Sequence, residues 1–397
     1  DGALRLCADH VEQALEPAVV GALLDAATRA FAALAGREEL TLVGADFLPP
    51  PPDAPAGAEH AGPGHLERIA AQLFDGDPDR TALICDTRST SYGALGLRVR
   101  RVMAGLAARG LAPGDVVAIC LPRGPEHLVL TLACALSGLV WVPIDAASPP
   151  ERRDYLLRNA APRLVVAAID LPGWPLASPR TLEAHDPAPI PQGLAALSRS
   201  EAAAYYLYTS GTTGRPKCVV LNNRATANVI GHTLDAWGIG AEDAVISVTP
   251  LHHDMSVFDL FGTLAAGARL VMPAPAEEKD ALAWNRLVRD HGVTVWCSVP
   301  AIVEMLLACA PDDGLASLRL VAQGGDYIKP AVIDRLRRLR PDAALWSLGG
   351  PTETTIWSIW HRIGPEDDRI IPYGRALPGN RYLLLNPQGE PCPEGVA

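Results

Sequence analysis

Thr209-Ser210-Gly211-Thr212-Thr213-Gly214-Arg215-Pro216-Lys217 follows directly on an apolar and aromatic run, Tyr205-Tyr206-Leu207-Tyr208. The run reads as a buried strand. The segment after it is made of small hydroxylated residues and glycines, which can turn backbone N–H groups and hydroxyls toward phosphate oxygens. Lys217 adds a mobile positive charge. The spacing is not that of a P-loop, because Gly211 and Gly214 stand closer together than the P-loop glycines and Cys218, not Ser or Thr, follows Lys217. A plain kinase or ATPase is therefore disfavoured. As an isolated string such a segment is more often just a surface turn, so its meaning depends on the rest of the chain.

Outward from this loop, strand and helix patterns alternate. Apolar runs at 81–85, 116–120 and 140–143 read as strands, with helices over 66–74, 92–108 and 126–136 and another from Pro150. A second series places strands at 203–208, 245–249, 269–272, 294–297, 318–322 and 343–346. Such alternation predicts an α/β fold with parallel sheets covered on both faces. Upstream, residues 3–8 read as a strand and 17–35 as a helix, with Val20, Leu23, Leu24, Ala27 and Phe31 on one stripe and Gly36 as its stop. Pro49, Pro50, Pro51 and Pro52, then Pro55, Gly57, Gly62, Pro63 and Gly64, predict an extended linker. The expected organisation is a small piece over 1–48, a linker over 49–63 and a core over 64–397. Residues 381–385 read as a strand entering the turn Asn386-Pro387-Gln388-Gly389.

The 397 residues, 49% apolar and 20% charged, describe a globular chain long enough for two or three domains. A formal charge of -11 opposes nonspecific binding to nucleic acid or to an anionic membrane, so a phosphate ligand must be held by local donors. The eight cysteines show no metal-ligand or redox spacing and read as scattered thiols of a cytoplasmic protein. The longest apolar stretch, 128–144, falls short of the ~20 residues of a membrane helix and reads as a buried helix followed by a strand. Without a starting Met or an export signal, the chain reads as cut from a larger one.

Further segments occur with the loop in a fixed order: Ser91-Tyr92-Gly93-Ala94-Leu95, Ser137-Gly138-Leu139-Val140-Trp141-Val142-Pro143-Ile144-Asp145, His253-Asp254-Met255-Ser256-Val257-Phe258-Asp259 and Gly349-Gly350-Pro351-Thr352-Glu353-Thr354-Thr355. With these, residues 64–397 resemble the adenylate-forming superfamily, and within it the adenylation domains of nonribosomal peptide synthetases. The resemblance implies a large core of two α/β subdomains plus a distorted β-barrel, with the small C-terminal domain that follows in the family expected to be absent from residues 1–397. It implies ATP and Mg2+ as cofactors. Thr209, Ser210, Gly211, Thr212, Thr213 and Gly214 would close over the β and γ phosphates with Lys217, Thr352 would meet the α-phosphate, and Glu353 the metal. Attack of a carboxylate on the α-phosphorus brings two anions together, and fixed donors with a metal offset that repulsion. Gly324, Gly325, Asp326, Gly349, Gly350 and Pro351 would border the adenine. Most relatives carry an aromatic residue where this chain has Gly349.

The resemblance also puts Asp254 where family members bind a substrate's α-ammonium group, which favours amino acids over aryl or fatty acids. Met255, Phe258, Cys297, Ala322, Gly324, Leu348, Ile356 and Trp357 would line the side-chain pocket. Bulky Phe258, Leu348, Ile356 and Trp357 against small Cys297, Ala322 and Gly324 imply a small side chain. The same runs look like the cysteine-activating subgroup found beside heterocyclisation domains, with serine, threonine and α-substituted relatives open. His252 and His253, read as neighbours in a strand, would point to opposite faces, which disfavours a metal pair. Residues 1–48 look similar to the tail of a condensation or heterocyclisation domain. The implied partners are that domain, a carrier-protein domain with its phosphopantetheine, and the amino acid. The alternatives are an aryl- or acyl-acid ligase on the same core, and a noncatalytic nucleotide-binding scaffold. The second arises because the family's ribose-binding Asp and carboxylate-steering Lys fall beyond Ala397, which predicts weak turnover by this chain alone.

Overall fold

The computed structural model describes residues 57–210, 215–311, 313–383 and 385, together with Gly21, Leu24, Asp25, Ala27 and Thr28. Two compact units divide the chain, Ala58–Gly379 and the pair of segments Asp1–Gly57 and Asn380–Ala397. In the second unit the five described residues of the expected 17–35 helix are helical, and the Thr28 hydroxyl donates to the Leu24 carbonyl. The expected strand at 3–8, most of the linker and the turn at 386–389 lie outside the described residues. At 381–383 the backbone is irregular rather than a strand.

Within Ala58–Gly379 the strands are β1 (Thr81–Cys85), β2 (Arg88–Ser91), β3 (Val116–Cys120), β4 (Val140–Pro143), β5 (Leu164–Ala167), β6 (Leu176–Ala177), β7 (Ala203–Thr209), β8 (Lys217–Asn222), β9 (Ala244–Ile246), β10 (Arg269–Met272), β11 (Val295–Ser298), β12 (Leu320–Gly324), β13 (Ala344–Gly349), β14 (Ile359–Arg362) and β15 (Arg375–Ala376). A nine-stranded sheet runs β15-β14-β13-β12-β11-β9-β10-β1-β2, and a six-stranded sheet runs β6-β5-β3-β4-β7-β8. The interiors are parallel, with antiparallel pairs among the described residues only at β1–β2, β13–β14, β14–β15 and β7–β8. Buried parallel strands explain the near-continuous apolar runs that mark them in the sequence.

The mixed α/β class is as expected, but the expected barrel is not closed among the described residues. Closure leaves no unpaired edge, and here β15 and β2 end one sheet while β6 and β8 end the other. The long apolar stretch is the buried helix Pro125–Leu136 followed by β4. None of the described helices is long and apolar enough to cross a membrane. Between the sheets, Trp141 stacks on Tyr205 at 4.6 Å and lies 5.8 Å from Phe261, so β4, β7 and the helical segment after Asp254 share one apolar core.

β7 and β8 form a hairpin, with Thr209 opposite Lys217. The Thr209 to Lys217 segment therefore joins two paired antiparallel strands. Thr209 and Lys217 stand at its two bases, and Gly211, Thr212, Thr213 and Gly214 lie outside the described residues. The strand that carries Lys217 runs beside the short 3-10 turn Thr352–Thr354, which brings the two sheets together at that point.

Candidate functional site

Asp254 lies in the turn after β9 and caps the helical segment that follows, its Oδ1 accepting from the Met255 N–H at 2.8 Å. Met255–Val257 continues through a π segment, Phe258–Gly262, into Thr263–Ala265. Gly262 leaves room for the Phe258 ring, which folds over it. The other Asp254 oxygen, Oδ2, accepts from Thr352 Oγ1 at 2.5 Å across 98 residues of sequence. Two separate motifs thus meet in one hydrogen bond. Burial raises the Asp254 pKa, and Thr352, the Met255 N–H and His253 oppose the rise. A carboxylate in this position is short of positive charge, and a cation placed against it would relieve the cost of burial.

Asp254 opens into a cavity of about 500 Å3. Its lining includes Asp254, Met255, Gly324, Gly325, Leu348, Gly349, Gly350, Pro351, Thr352, Ile356 and Trp357. The other three expected pocket residues, Phe258, Cys297 and Ala322, lie fully buried in the core behind it. Phe258 packs against Trp357 at 4.9 Å, Trp237 stacks on Trp357 at 5.7 Å, and the Trp357 Nε1 donates to Thr233 Oγ1 at 3.2 Å. The indole is thereby held from behind. Burial first, then the carboxylates of Asp259 and Asp254, push the Cys297 thiol well above its ordinary pKa, so it stays protonated. Thr249, Pro250, His253, Val299 and Ile302 also line the cavity. Of these only His253 had a sequence signal, its place beside Asp254.

Alternation along the strands sorts the walls. On β12, Ala322 belongs to the core on the cavity side and Val321 to the core on the other, and Gly324 pairs with Leu348 of β13. A Cβ on Gly324 would fall 2.8 Å from the Leu348 Cβ, so no side chain fits there. Beyond the 3-10 turn, Thr355 and Ile356 take φ of 69° and 57°. Left-handed backbone at successive β-branched residues costs ~1–3 kcal/mol each. Here it turns Ile356 and Trp357 into the cavity. Asp326, expected beside the glycines, is exposed, and its Oδ1 accepts from the Tyr327 N–H at 2.7 Å. His252 and His253 are in a turn, not a strand, and their rings lie 4.6 Å apart rather than on opposite faces. Burial lowers the His252 pKa to about 4.

The model of the AMP-binding enzyme family matches residues 70–397, a span that contains every element of this site. The chain belongs to that family. It is 38% identical over 333 residues to the pyochelin synthetase PchE of Pseudomonas aeruginosa, covering 80% of this chain and 22% of PchE. It is 36% identical over 322 residues to the phenyloxazoline synthase MbtB of a Mycobacterium species, covering 80% of this chain and 27% of MbtB. Among solved structures, the nonribosomal peptide synthetase FmoA3 bound to α-methyl-L-serine-AMP superposes with a TM-score of 0.84 at 29% identity, over 98% of this chain and 45% of that one. The chain thus spans about a quarter of the length of these curated relatives.

An AMP-binding domain of the synthetase type uses ATP and Mg2+, and the residues present suit both. Gly349-Gly350 and Gly324-Gly325 offer backbone without side chains, and Gly350 holds a φ of 129° that other residues rarely adopt. No group of three or more His, Cys, Asp or Glu side chains that could hold a metal occurs among the described residues. Exposed Glu353, beside Thr352, is one carboxylate. That donor set fits Mg2+, which is commonly held by one or two carboxylates together with substrate phosphates.

Proposed function

We propose that this chain activates a small amino acid, cysteine, serine, threonine or an α-substituted relative, as its adenylate. The acyl group would then pass to the phosphopantetheine thiol of a carrier domain in nonribosomal peptide synthesis. The observation that carries this reading is Asp254, a carboxylate deprived of hydration in the wall of a mostly apolar cavity. An α-ammonium group would supply the missing counter-charge. An aryl or fatty acid would leave the carboxylate uncompensated, and stranding a buried charge costs about 3–5 kcal/mol. Gly324, Leu348, Ile356 and Trp357 leave space for a short side chain. The names of the relatives, synthetases and synthases, and the α-methyl-L-serine-AMP held by FmoA3 support the same reading.

In the reaction a substrate carboxylate oxygen bonds to the α-phosphorus of ATP, and the bond to the pyrophosphate oxygen breaks with its electron pair. Bound Mg2+ would neutralise charge developing on the phosphates. Thr352 is assigned two partners in turn. Its hydroxyl donates to Asp254 while the ammonium position is open. Once an ammonium satisfies the carboxylate, the hydroxyl is available to the α-phosphate, so substrate binding and nucleotide positioning become linked. Lys217 and the segment from Thr209 to Gly214 would hold the leaving pyrophosphate, and Glu353 would hold the metal. Residues 1–48, on this reading, belong to an upstream condensation or heterocyclisation domain.

The test is ATP/pyrophosphate exchange by the full protein, screened over cysteine, serine, threonine, their α-methyl forms and aryl acids. Exchange driven by one small amino acid is expected, and equal exchange with aryl acids would overturn the reading. Asp254→Asn should weaken the amino acid on the order of 100-fold while leaving nucleotide binding in place. Loss of both would make Asp254 a structural residue.

A further inference from the structure

Tyr373 is an exposed aromatic residue, 57% accessible, whose hydroxyl is nevertheless fixed, accepting from the Gly350 N–H at 2.8 Å. Its ring lies against Gly349, where a Cβ would collide with the Cζ, Cε2 and hydroxyl atoms of the tyrosine. Gly349 has no left-handed φ that would call for glycine. Space is the reason: residue 349 lacks a side chain because the Tyr373 ring stands there. Gly374 next to it has a φ of 113°, and its missing Cβ lets the chain press against the Trp360 carbonyl as β15 pairs with β14. The ring is therefore held by the strand that follows it.

Its side of the strand matters. Leu348 points into the apolar core of the cavity, and alternation sends the Cβ direction of Gly349 the other way. The ring thus borders the bare backbone of Gly349 and Gly350 from the side away from the amino-acid hollow. A flat, partly polar surface anchored at one end and open over the rest suits a planar ligand group.

We propose that Tyr373 is the aromatic surface for the nucleotide's purine base, standing in from another part of the chain for a side chain that position 349 lacks. This rests on the reading of the glycine turn as the nucleotide end of the site. The pair is a compensated swap: glycine at 349 and tyrosine at 373 occupy one volume between them.

The test measures binding of AMPPNP with Mg2+, and of its abasic counterpart carrying the same ribose and imidotriphosphate, by calorimetry. Tyr373→Ala and Tyr373→Leu should each weaken AMPPNP on the order of tenfold and leave the abasic ligand unchanged. Tyr373→Phe, which keeps the ring, should retain most of the affinity. Gly349→Tyr in the Tyr373→Ala background should restore it. Equal weakening of both ligands would make Tyr373 a structural residue and overturn the inference, as would no weakening of either. A base-dependent loss in Tyr327→Ala, an exposed tyrosine two residues after Gly325, with none in Tyr373→Ala would overturn it too. If the unaltered protein bound neither ligand, the nucleotide reading itself would fall, and this inference with it.

Discussion

Five residues after Asp254, in the π segment, Asp259 is fully buried. Neither of its oxygens has a partner at hydrogen-bonding geometry, although the Arg123 guanidinium and the Ser247 hydroxyl lie close enough to oppose the effect of burial. Burial raises its pKa well above the ordinary carboxylate value. The folded state therefore holds this proton more tightly than the unfolded chain does. Its contribution to stability is complete below the ordinary carboxylate pKa and is lost as pH rises through the raised folded value. Asp259→Asn should remove that loss, so the melting temperature of the variant should gain on the unaltered protein as pH rises from acid to neutral. A constant difference across that range would contradict the assignment. The sequence marked Asp254 through its motif, but not its bond to Thr352, because nothing local relates positions 98 residues apart. Nor did it mark the left-handed backbone at Ile356, since β-branched residues disfavour that conformation and only the surrounding packing holds them in it.

The helix Asn223–Trp237 shows how one element serves both the fold and the site. Asn222 caps it by accepting from the Ala225 N–H, and Thr233 and Trp237 near its end support Trp357. In its middle, Asn228 accepts from the His60 N–H at 2.9 Å and donates to the Pro378 carbonyl at 2.8 Å. Gly231 lies under the His60 ring, which has no room for a Cβ there, and Arg224 forms a two-point contact with Glu59. Residues 58–63 are irregular and laid along this helix rather than free of it. Asn228→Ala would strand a backbone donor and a backbone acceptor, at a cost of about 2 kcal/mol in denaturant unfolding. Cleavage by a protease within residues 58–63 should quicken as well. Unchanged cleavage would show that the clasp depends on Arg224 and His60 alone. Composition announced an extended segment, but a clasp is made of contacts distant in sequence, and no local pattern encodes them.

Across the whole unit, the two sheets are tied next to the cavity by Arg123. It follows β3 of the smaller sheet and donates to the Ser247 carbonyl at 2.6 Å and the Thr249 carbonyl at 2.5 Å, just past β9 of the larger one. It also pairs with Glu278 at 3.3 Å. The guanidinium is buried, so its removal leaves carbonyls and a carboxylate without their partner. Arg123→Met should destabilise the protein by about 3–5 kcal/mol and weaken ligands in the cavity that Thr249 lines. A variant that unfolds at the same denaturant concentration would show that the apolar contact between the sheets suffices.

The α/β class, most strand positions and the five ordered motifs were legible in the chain itself, because parallel strands buried on both faces leave apolar runs and tight turns need particular residue types. Those features depend on neighbours in sequence. The pairing of the strands on either side of the Thr209 to Lys217 segment, the open sheets in place of a barrel among the described residues, the bond between Asp254 and Thr352, and the ring of Tyr373 over Gly349 were decided by tertiary structure. Each depends on which distant side chains share one volume, and that is fixed only when the two sheets pack against each other.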